Sequence, residues 1–481
     1  MIDLRPVGYV IGLLVAALGV TMLVPMTVDF AAGDDNGWAF LESAIVTIFF
    51  GGLLALACAN GVGKSLTIQQ AFLLTTGVWA VAPAFGALPF ILGAPQVRLV
   101  DAYFEAMSGV TTTGSTVLVG LDDLPMGTNL WRGVLQWLGG LGIIIVAMLF
   151  LPVMKVGGMQ FFRSEGFDTL GKVLPRALDI SAALLRIYIA MTLIFAIVYY
   201  ALGMSGFDAI VHSLTTISTG GFSTRDFSFA EFQGAPEYAA TLFMVLASVP
   251  FIRFVQLMQG HGRPLFVDVQ VRAYVRWILY ASGAIAVFLV AGGAAIEPTL
   301  RESLFNVVST FSGTGYTSTD VTLWGSFPFV ILLLVGAIGG CTASTGCSIK
   351  VFRYLVLFEA IKSQIRQMYS PNMVTIPTLE GRRIEPDVIN SVILLFSLFI
   401  LSFGTLSVLL AMTGLEMRTA ITASWTSVFN IGPAFGPEVG PTGAMNAFPD
   451  SAKWLMSFGM LIGRLEMVSV LVIFTARFWR A

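Results

Sequence analysis

The sequence predicts an all-α polytopic membrane protein with ten spanning helices, two of them forming an N-terminal preface and eight arranged in four span–loop–span repeats around one axis. Three observations predict it. Hydrophobic residues make up 56% of the 481, charged residues only 11%, and mean hydropathy is +0.85. A soluble globular chain carries roughly 25% charged residues, so lipid must be the solvent for most of this one. Ten apolar stretches reach the roughly 20 residues that a spanning helix needs. Four shorter stretches sit between spans and end alike, in runs of glycine, threonine and serine.

The ten long stretches lie near 8–30, 38–58, 68–93, 131–153, 183–204, 237–258, 274–296, 327–346, 388–413 and 452–476. The first is too long for a signal-peptide core and lacks a small-residue cleavage site, so it reads as a retained span. The eighth is expected to continue past 346 after a break. The short stretches are 101–116, 206–224, 301–318 and 416–433. They cannot cross a bilayer, and irregular backbone at membrane depth survives only where it lines a watery cavity, so they read as re-entrant loops.

The four endings are Ser108-Gly-Val-Thr-Thr-Thr-Gly114, Thr215-Thr-Ile-Ser-Thr-Gly-Gly221, Ser309-Thr-Phe-Ser-Gly-Thr-Gly315 and Thr426-Ser-Val-Phe-Asn-Ile-Gly432. Their last glycines fall 107, 94 and 117 residues apart, an internal repeat of one span–loop–span unit. The expected division is a preface at 1–63 and repeats at 64–178, 179–265, 266–384 and 385–481.

Charge sets the orientation. With both termini cytoplasmic, 19 of the 26 Lys and Arg residues fall inside, and six fall outside: Arg98, Arg132, Arg225, Arg301, Arg418 and Lys453. That is a positive-inside bias. Eighteen of the 28 acids fall outside, which makes the outer mouth anionic and attractive to cations. All four loops then dip from the outer face and surround a central pore.

A dehydrated cation needs oxygens in place of its water, and successive backbone carbonyls supply them. Aiming carbonyls at an axis demands unusual φ values, which glycine permits. Threonine and serine add hydroxyl oxygens without charge. Thr112, Thr113, Gly114, Gly220, Gly221, Thr314, Gly315, Ile431 and Gly432 therefore read as a selectivity filter. The helix before each loop can turn the negative end of its dipole toward the ion. Turns or close helix packing would also explain any one such cluster taken alone.

Other classes find little support. A net charge of −2 excludes a generally basic nucleic-acid binder. Cys58, Cys341 and Cys347 are odd in number and irregular in spacing, against both a disulfide framework and a zinc site. His212 and His261 are too few for a metal centre. Gly61-Val-Gly-Lys-Ser65 lacks the upstream glycine of a phosphate-binding loop, and Lys64 reads as a positive-inside anchor. No nucleophile–base pair points to an enzyme.

Five runs stand out together: Phe104-Glu-Ala-Met-Ser-Gly-Val-Thr-Thr-Thr-Gly-Ser-Thr116, Trp131-Arg-Gly-Val-Leu-Gln-Trp-Leu-Gly-Gly140, Ser218-Thr-Gly-Gly-Phe-Ser-Thr224, Gly339-Gly-Cys-Thr-Ala-Ser-Thr-Gly-Cys-Ser-Ile-Lys350 and Phe458-Gly-Met-Leu-Ile-Gly-Arg-Leu-Glu466. Through them the chain resembles the Trk/Ktr/HKT superfamily of cation transporters, most closely the TrkH/TrkG branch of bacterial K⁺ uptake proteins. The resemblance implies K⁺ uptake through a pore in each subunit of a homodimer in the bacterial inner membrane. It implies one filter glycine per repeat, at Gly114, Gly221, Gly315 and Gly432. Members with serine at the first of these are typically Na⁺-permeable, so Gly114 favours K⁺, with Rb⁺ accepted by the same carbonyl cage.

The resemblance also implies a gating loop beneath the filter at 339–349, comprising Gly339, Gly340, Thr342, Ala343, Ser344, Thr345 and Gly346. Ala343 and Cys347 stand where glycine is expected. A kinked helix with a small-residue face is the plainer reading of that run. Arg464, a charge at bilayer depth, is expected to be paired or functional. It stands either near the permeation path or in an ion pair with Glu466 or Glu105. Glu105 and Glu302, at equivalent places before their loops, carry the same two readings. Lys350 is either a second pore-side charge or the first cytoplasmic residue. The basic loops 155–186 and 350–383 suit anionic lipid headgroups, or the cytoplasmic nucleotide-binding TrkA-type subunit that the resemblance implies. No cofactor is expected on this chain, and nucleotide only on that partner. Coupled symport with H⁺ or Na⁺ and a non-transporting scaffold remain as alternatives.

Overall fold

The structure is a computed structural model that describes residues 2–61, 66–146, 177–372 and 376–480. Lys64, the 63/64 boundary and most of the basic 155–186 loop lie outside the described residues. The chain is mostly helical, and one two-stranded antiparallel hairpin (Thr378–Leu379 with Arg382–Arg383) sits within the expected 350–383 loop.

Among the described residues six helices are long and apolar enough to cross a membrane: Arg5–Ala32, Gly37–Gly61, Ile68–Leu92, Ser181–Ala201, Val269–Ala291 and Pro386–Met412. Their apolar residues do not converge inward, since Phe49, Ile197 and Ile400 are 58%, 67% and 68% exposed. Such outward apolar faces suit contact with lipid. Local signals set the helix starts. Thr67 and Gln70 form a reciprocal capping box ahead of Ile68, and the Asp268 carboxylate accepts the backbone N–H groups of Gln270 and Val271.

Two expected spans are bent rather than straight. Ala235–Ala247 meets Phe251–Met258 at 92°, and Asp450–Arg464 meets Val468–Phe474 at 108°. Pro250 opens the second arm of the first, where its missing N–H and ring forbid a continuous helix. At the second break Glu466 and Met467 take left-handed φ values of 59° and 52°. Counting each bent pair as one span, the described residues hold eight. The expected eighth span is an apolar helix of 13 residues, Ser326–Ile338, followed by coil from 339 to 350. The first part of the expected fourth span is Met126–Ile145, whose buried face carries Asn129, Arg132 and Gln136; its continuation from 147 lies outside the described residues.

Four short helices end where the glycine runs begin: Leu99–Val110, Gly206–Ile217, Ile296–Ser312 and Met417–Phe429. Gly313 and Asn430 cap the third and fourth in the left-handed conformation. Each short helix packs on neighbouring spans, the second also on Met126–Ile145, the third on Ala235–Ala247 and the first on Asp450–Arg464. That last contact joins the chain's final quarter to its first and closes the arrangement into a ring. One hydrophobic cluster joins the N-terminal helices to the first and fourth units, and a second fills the space between the second and third.

Buried ion pairs stitch the polar ends of these helices. Arg132 Nε lies 2.8 Å from Glu105, and Lys453 Nζ 2.5 Å from Asp101. Arg301 pairs with Glu237, and Arg225 Nη2 lies 3.0 Å from Asp208. With Arg98, which meets Asp101 and Asp450, five of the six bases expected outside are therefore pairing groups, and Arg132, Arg301 and Lys453 are buried, rather than free loop charges.

Candidate functional site

Aligned on Gly114, Gly221, Gly315 and Gly432, the four loops share one backbone path. Two residues before each glycine, Thr112, Thr219, Gly313 and Asn430 take φ values of 52°, 49°, 85° and 53°. Each loop then ties back to the carbonyl six residues before its glycine. Thr113 N donates to Ser108 O, Gly220 N to Thr215 O, Gly315 N to Ser309 O and Ile431 N to Thr426 O, at 2.8–3.2 Å. Up to each glycine the path is a compact turn.

The loops touch in cyclic order. A Cβ on Gly114 would strike the Gly220 carbonyl, and one on Gly221 the Thr314 carbonyl. A Cβ on Gly315 would come within 2.9 Å of Gly432 Cα, and one on Gly432 would lie 3.4 Å from the carbonyl oxygens of Gly114 and Gly315. The glycines of the first three loops have φ of 86°, 78° and 80°, in the region L side chains avoid; Gly432 does not. All four line one cavity of about 460 Å³, walled by segments 222–230, 317–322 and 433–443. Asp226 and Asp320 line it, as do Arg132 and Arg225, both paired with acids. In the last wall segment, the Thr419 hydroxyl and then the Glu416 N–H hold the Glu438 carboxyl below its usual pKa.

The expected filter residues divide by role. The hydroxyls of Thr113 and Thr314 are occupied behind the ring, by Thr111 and Asn430 in one case and Ser312 in the other. The Thr112 hydroxyl points to Cys347 Sγ at 3.7 Å. The Gly220 carbonyl accepts Gln136 Nε2 at 2.6 Å, and Ser115 Oγ donates to Gly432 O at 2.9 Å. The Ile431 side chain is buried against Gly336.

Across the ring from the cavity lies the coil 339–350, buried throughout. It docks on the bend after Ala247. Cys341 N donates to Ser248 O, Phe251 N to Ala343 O, and Thr345 Oγ1 to Ala247 O, at 2.9–3.0 Å. The bend strips these backbone groups of helical partners, and the coil satisfies them. Thr342 N is taken by Gln270, Ser348 Oγ donates to Phe429 O, and Ser344 Oγ closes the turn onto Cys341 O. Gly339 and Ala343 have left-handed φ, 82° and 57°; Gly340 and Gly346 pass each other closely. The coil therefore touches all four units.

Arg464 reaches into it. Its Nη1 lies 2.7 Å from Cys347 Sγ and 3.2 Å from Thr345 O, while Nε and Nη2 have no hydrogen-bond partner among the described residues. Neither expected acid pairs with it: Glu105 is bound to Arg132, and Glu466 to Arg353 at 2.5 Å. Residues two apart do not share a helix face, and the helix breaks directly after Arg464. Lys350 is buried at the head of Val351–Tyr369, so it is not a free cytoplasmic residue.

Sequence reasoning missed Gln136, Asn430, Cys347, His212 and Asn306. Gln136 clasps the second loop, its Oε1 accepting Phe222 N while its Nε2 binds Gly220 O. Asn430 Nδ2 bridges Thr113 Oγ1 and Met460 O. Glu302 is not the counterpart of Glu105. Counting back nine from each glycine finds Glu105, His212 and Asn306.

Residues 36–481 match the model of TrkH, described as a cation transport protein. The chain belongs to the TrkH family. Its members are transport proteins rather than enzymes. The chain is 37% identical over 477 residues to the Trk system potassium uptake protein TrkI of Halomonas elongata, covering 99% of this chain and 97% of that one. It is 33% identical over 483 residues to the Trk system potassium uptake protein TrkH of Escherichia coli, covering 99% of each. Its fold superimposes on the crystal structure of the potassium transporter TrkH from Vibrio parahaemolyticus with a TM-score of 0.91 and 31% identity, over the whole of both chains.

Proposed function

We propose that this TrkH-family protein takes up K⁺ across a bacterial inner membrane by channel-like conduction through a single pore on the loop axis. The observation that carries the reading is the cyclic contact of Gly114, Gly221, Gly315 and Gly432 at one end of a single cavity. A closed ring of backbone suits a weakly hydrated monovalent cation, which exchanges its water for carbonyl oxygens. The potassium uptake names of the relatives point the same way. In this reading Thr112, Thr113, Gly114, Gly220, Gly221, Thr314, Gly315, Ile431 and Gly432 form the filter. The ten-span layout, the repeats at 64–178, 179–265, 266–384 and 385–481, cytoplasmic termini, a homodimer and a TrkA-type regulatory partner belong to it as well.

The coil 339–350 is the gate, with Arg464 and Lys350 as pore-side charges beneath the filter. In this reading its burial against all four units corresponds to the closed state. A proton-coupled symporter needs a group free to exchange a proton on the path, and Glu466 is held by Arg353, which favours conduction without proton coupling.

The test is ⁸⁶Rb⁺ uptake into proteoliposomes holding the full-length protein, with and without the regulatory partner. External K⁺ in excess should block uptake, and Na⁺ should not. Equal block by Na⁺, or no uptake by well-folded protein in either condition, defeats the reading. Arg464→Gln is expected to raise partner-free uptake several-fold, since it removes the charge and weakens the clasp on Cys347 and Thr345. Unchanged partner-free uptake in a folded Arg464→Gln protein would remove Arg464 from the gate.

A further inference from the structure

Nine residues before each ring glycine stands a buried side chain on the short helix: Glu105, His212, Asn306 and Ala423. In the first three units it reaches across to the strand leaving the ring, two or three residues past the glycine. The Glu105 carboxylate accepts Thr116 Oγ1 at 2.9 Å and Val117 N at 3.0 Å. His212 Nε2 lies 3.0 Å from Ser223 Oγ; because Nδ1 faces the Asp208 carbonyl at 2.8 Å and must donate there, Nε2 accepts the serine proton. Asn306 Nδ2 donates to Ser318 Oγ at 3.0 Å, and its Oδ1 accepts Ser318 N at 3.4 Å.

A carboxylate, an imidazole and an amide share no chemistry toward an ion. They share a place and a span, which makes their common task geometric. Each fixes how far the strand beyond the glycine stands from its helix, and with it how far the glycine projects into the ring. The fourth unit lacks the strut, because Ala423 cannot reach. There the bonds run from neighbouring positions, Thr422 to Phe435 and Thr426 to Pro433. This is also the one unit whose glycine lacks the left-handed φ.

We propose that Glu105, His212 and Asn306 are positioning residues that set the ring's width, and through it the preference among monovalent cations. The proposal rests on the filter reading above. Uptake of ⁸⁶Rb⁺ and of ²²Na⁺ would be measured in proteoliposomes of the full-length protein, with its regulatory partner where opening requires it.

Asn306→Ala is expected to lower the Rb⁺/Na⁺ uptake ratio about fivefold or more, the scale of one lost hydrogen bond. Ser318→Ala, which removes the other end of the same strut, should lower the ratio in the same direction. The double variant should go no further than Asn306→Ala alone, and Ala423→Ser should leave the ratio near wild type. If Asn306→Ala does not fold, Ser318→Ala decides. Wild-type ratios in folded strut variants, alongside lost or less selective uptake in Gly114→Ser, overturn the strut inference and leave the filter standing. A wild-type rate and ratio in Gly114→Ser as well overturn the filter reading and the inference with it.

Discussion

Gly221→Ala is expected to abolish ⁸⁶Rb⁺ uptake, whereas Gly432→Ala is expected to retain a measurable fraction of it. The two glycines hold the same place in their units but meet different surroundings. Gly221 has φ of 78°, where an L side chain costs about 1–2 kcal/mol, and its new methyl would run into the Thr314 carbonyl of the next loop. Both strands are bound, the second by Gln136 and the third through the Ser312 hydroxyl on Thr314, so neither can step aside without opening the ring. At Gly432 the φ is ordinary for an L residue, and the nearest atoms to an added methyl stand at 3.4 Å, an ordinary contact. The measurement is initial uptake rate per reconstituted protein. Equal loss in both variants would show that any side chain in the ring blocks it, and that the backbone difference between units does not matter.

Arg132→Met is expected to cost about 3–5 kcal/mol of stability, because it leaves the Glu105 carboxylate buried without its cation. Glu105 is fully buried and Arg132 nearly so, and their contact is 2.8 Å. The arginine also donates to Ser223 O at 2.7 Å, so one side chain ties the first loop to the second. Glu105→Gln added to Arg132→Met should recover much of the loss, since a neutral amide keeps a grip on Thr116 without a buried charge. Thermal unfolding in detergent reads both. A wild-type melting temperature for Arg132→Met would show that water or another cation already neutralises Glu105.

These outcomes bear on what could be read from the chain unfolded. The four loops were legible because glycine and threonine recur at the same distance after a helix-like run, and because those runs are too short to span. The break after Ile338 was legible for the same reason, as small residues interrupting an apolar stretch. The nine-residue offset was there to be found by aligning the units on their glycines. Residue type alone does not reveal it, because Glu, His, Asn and Ala share no chemistry and Glu302 is the more obvious match to Glu105.

Partners were another matter. Arg464 was legible as an anomalous charge, but its contact with Cys347 crosses 117 positions and depends on two breaks in the chain, after Ile338 and after Arg464. The 92° bend at Pro250 and the coil that satisfies its stripped backbone groups are likewise one feature in space and two unrelated signals in sequence.

By itself the sequence determined the solvent, the helices and the places where the backbone must leave them, since hydropathy, helix length and glycine tolerance are local properties. Which carbonyl faces which glycine, which acid neutralises which base, and how the four loops close on one another were decided only by the tertiary structure. Those depend on distances between residues about a hundred positions apart, which no local property encodes.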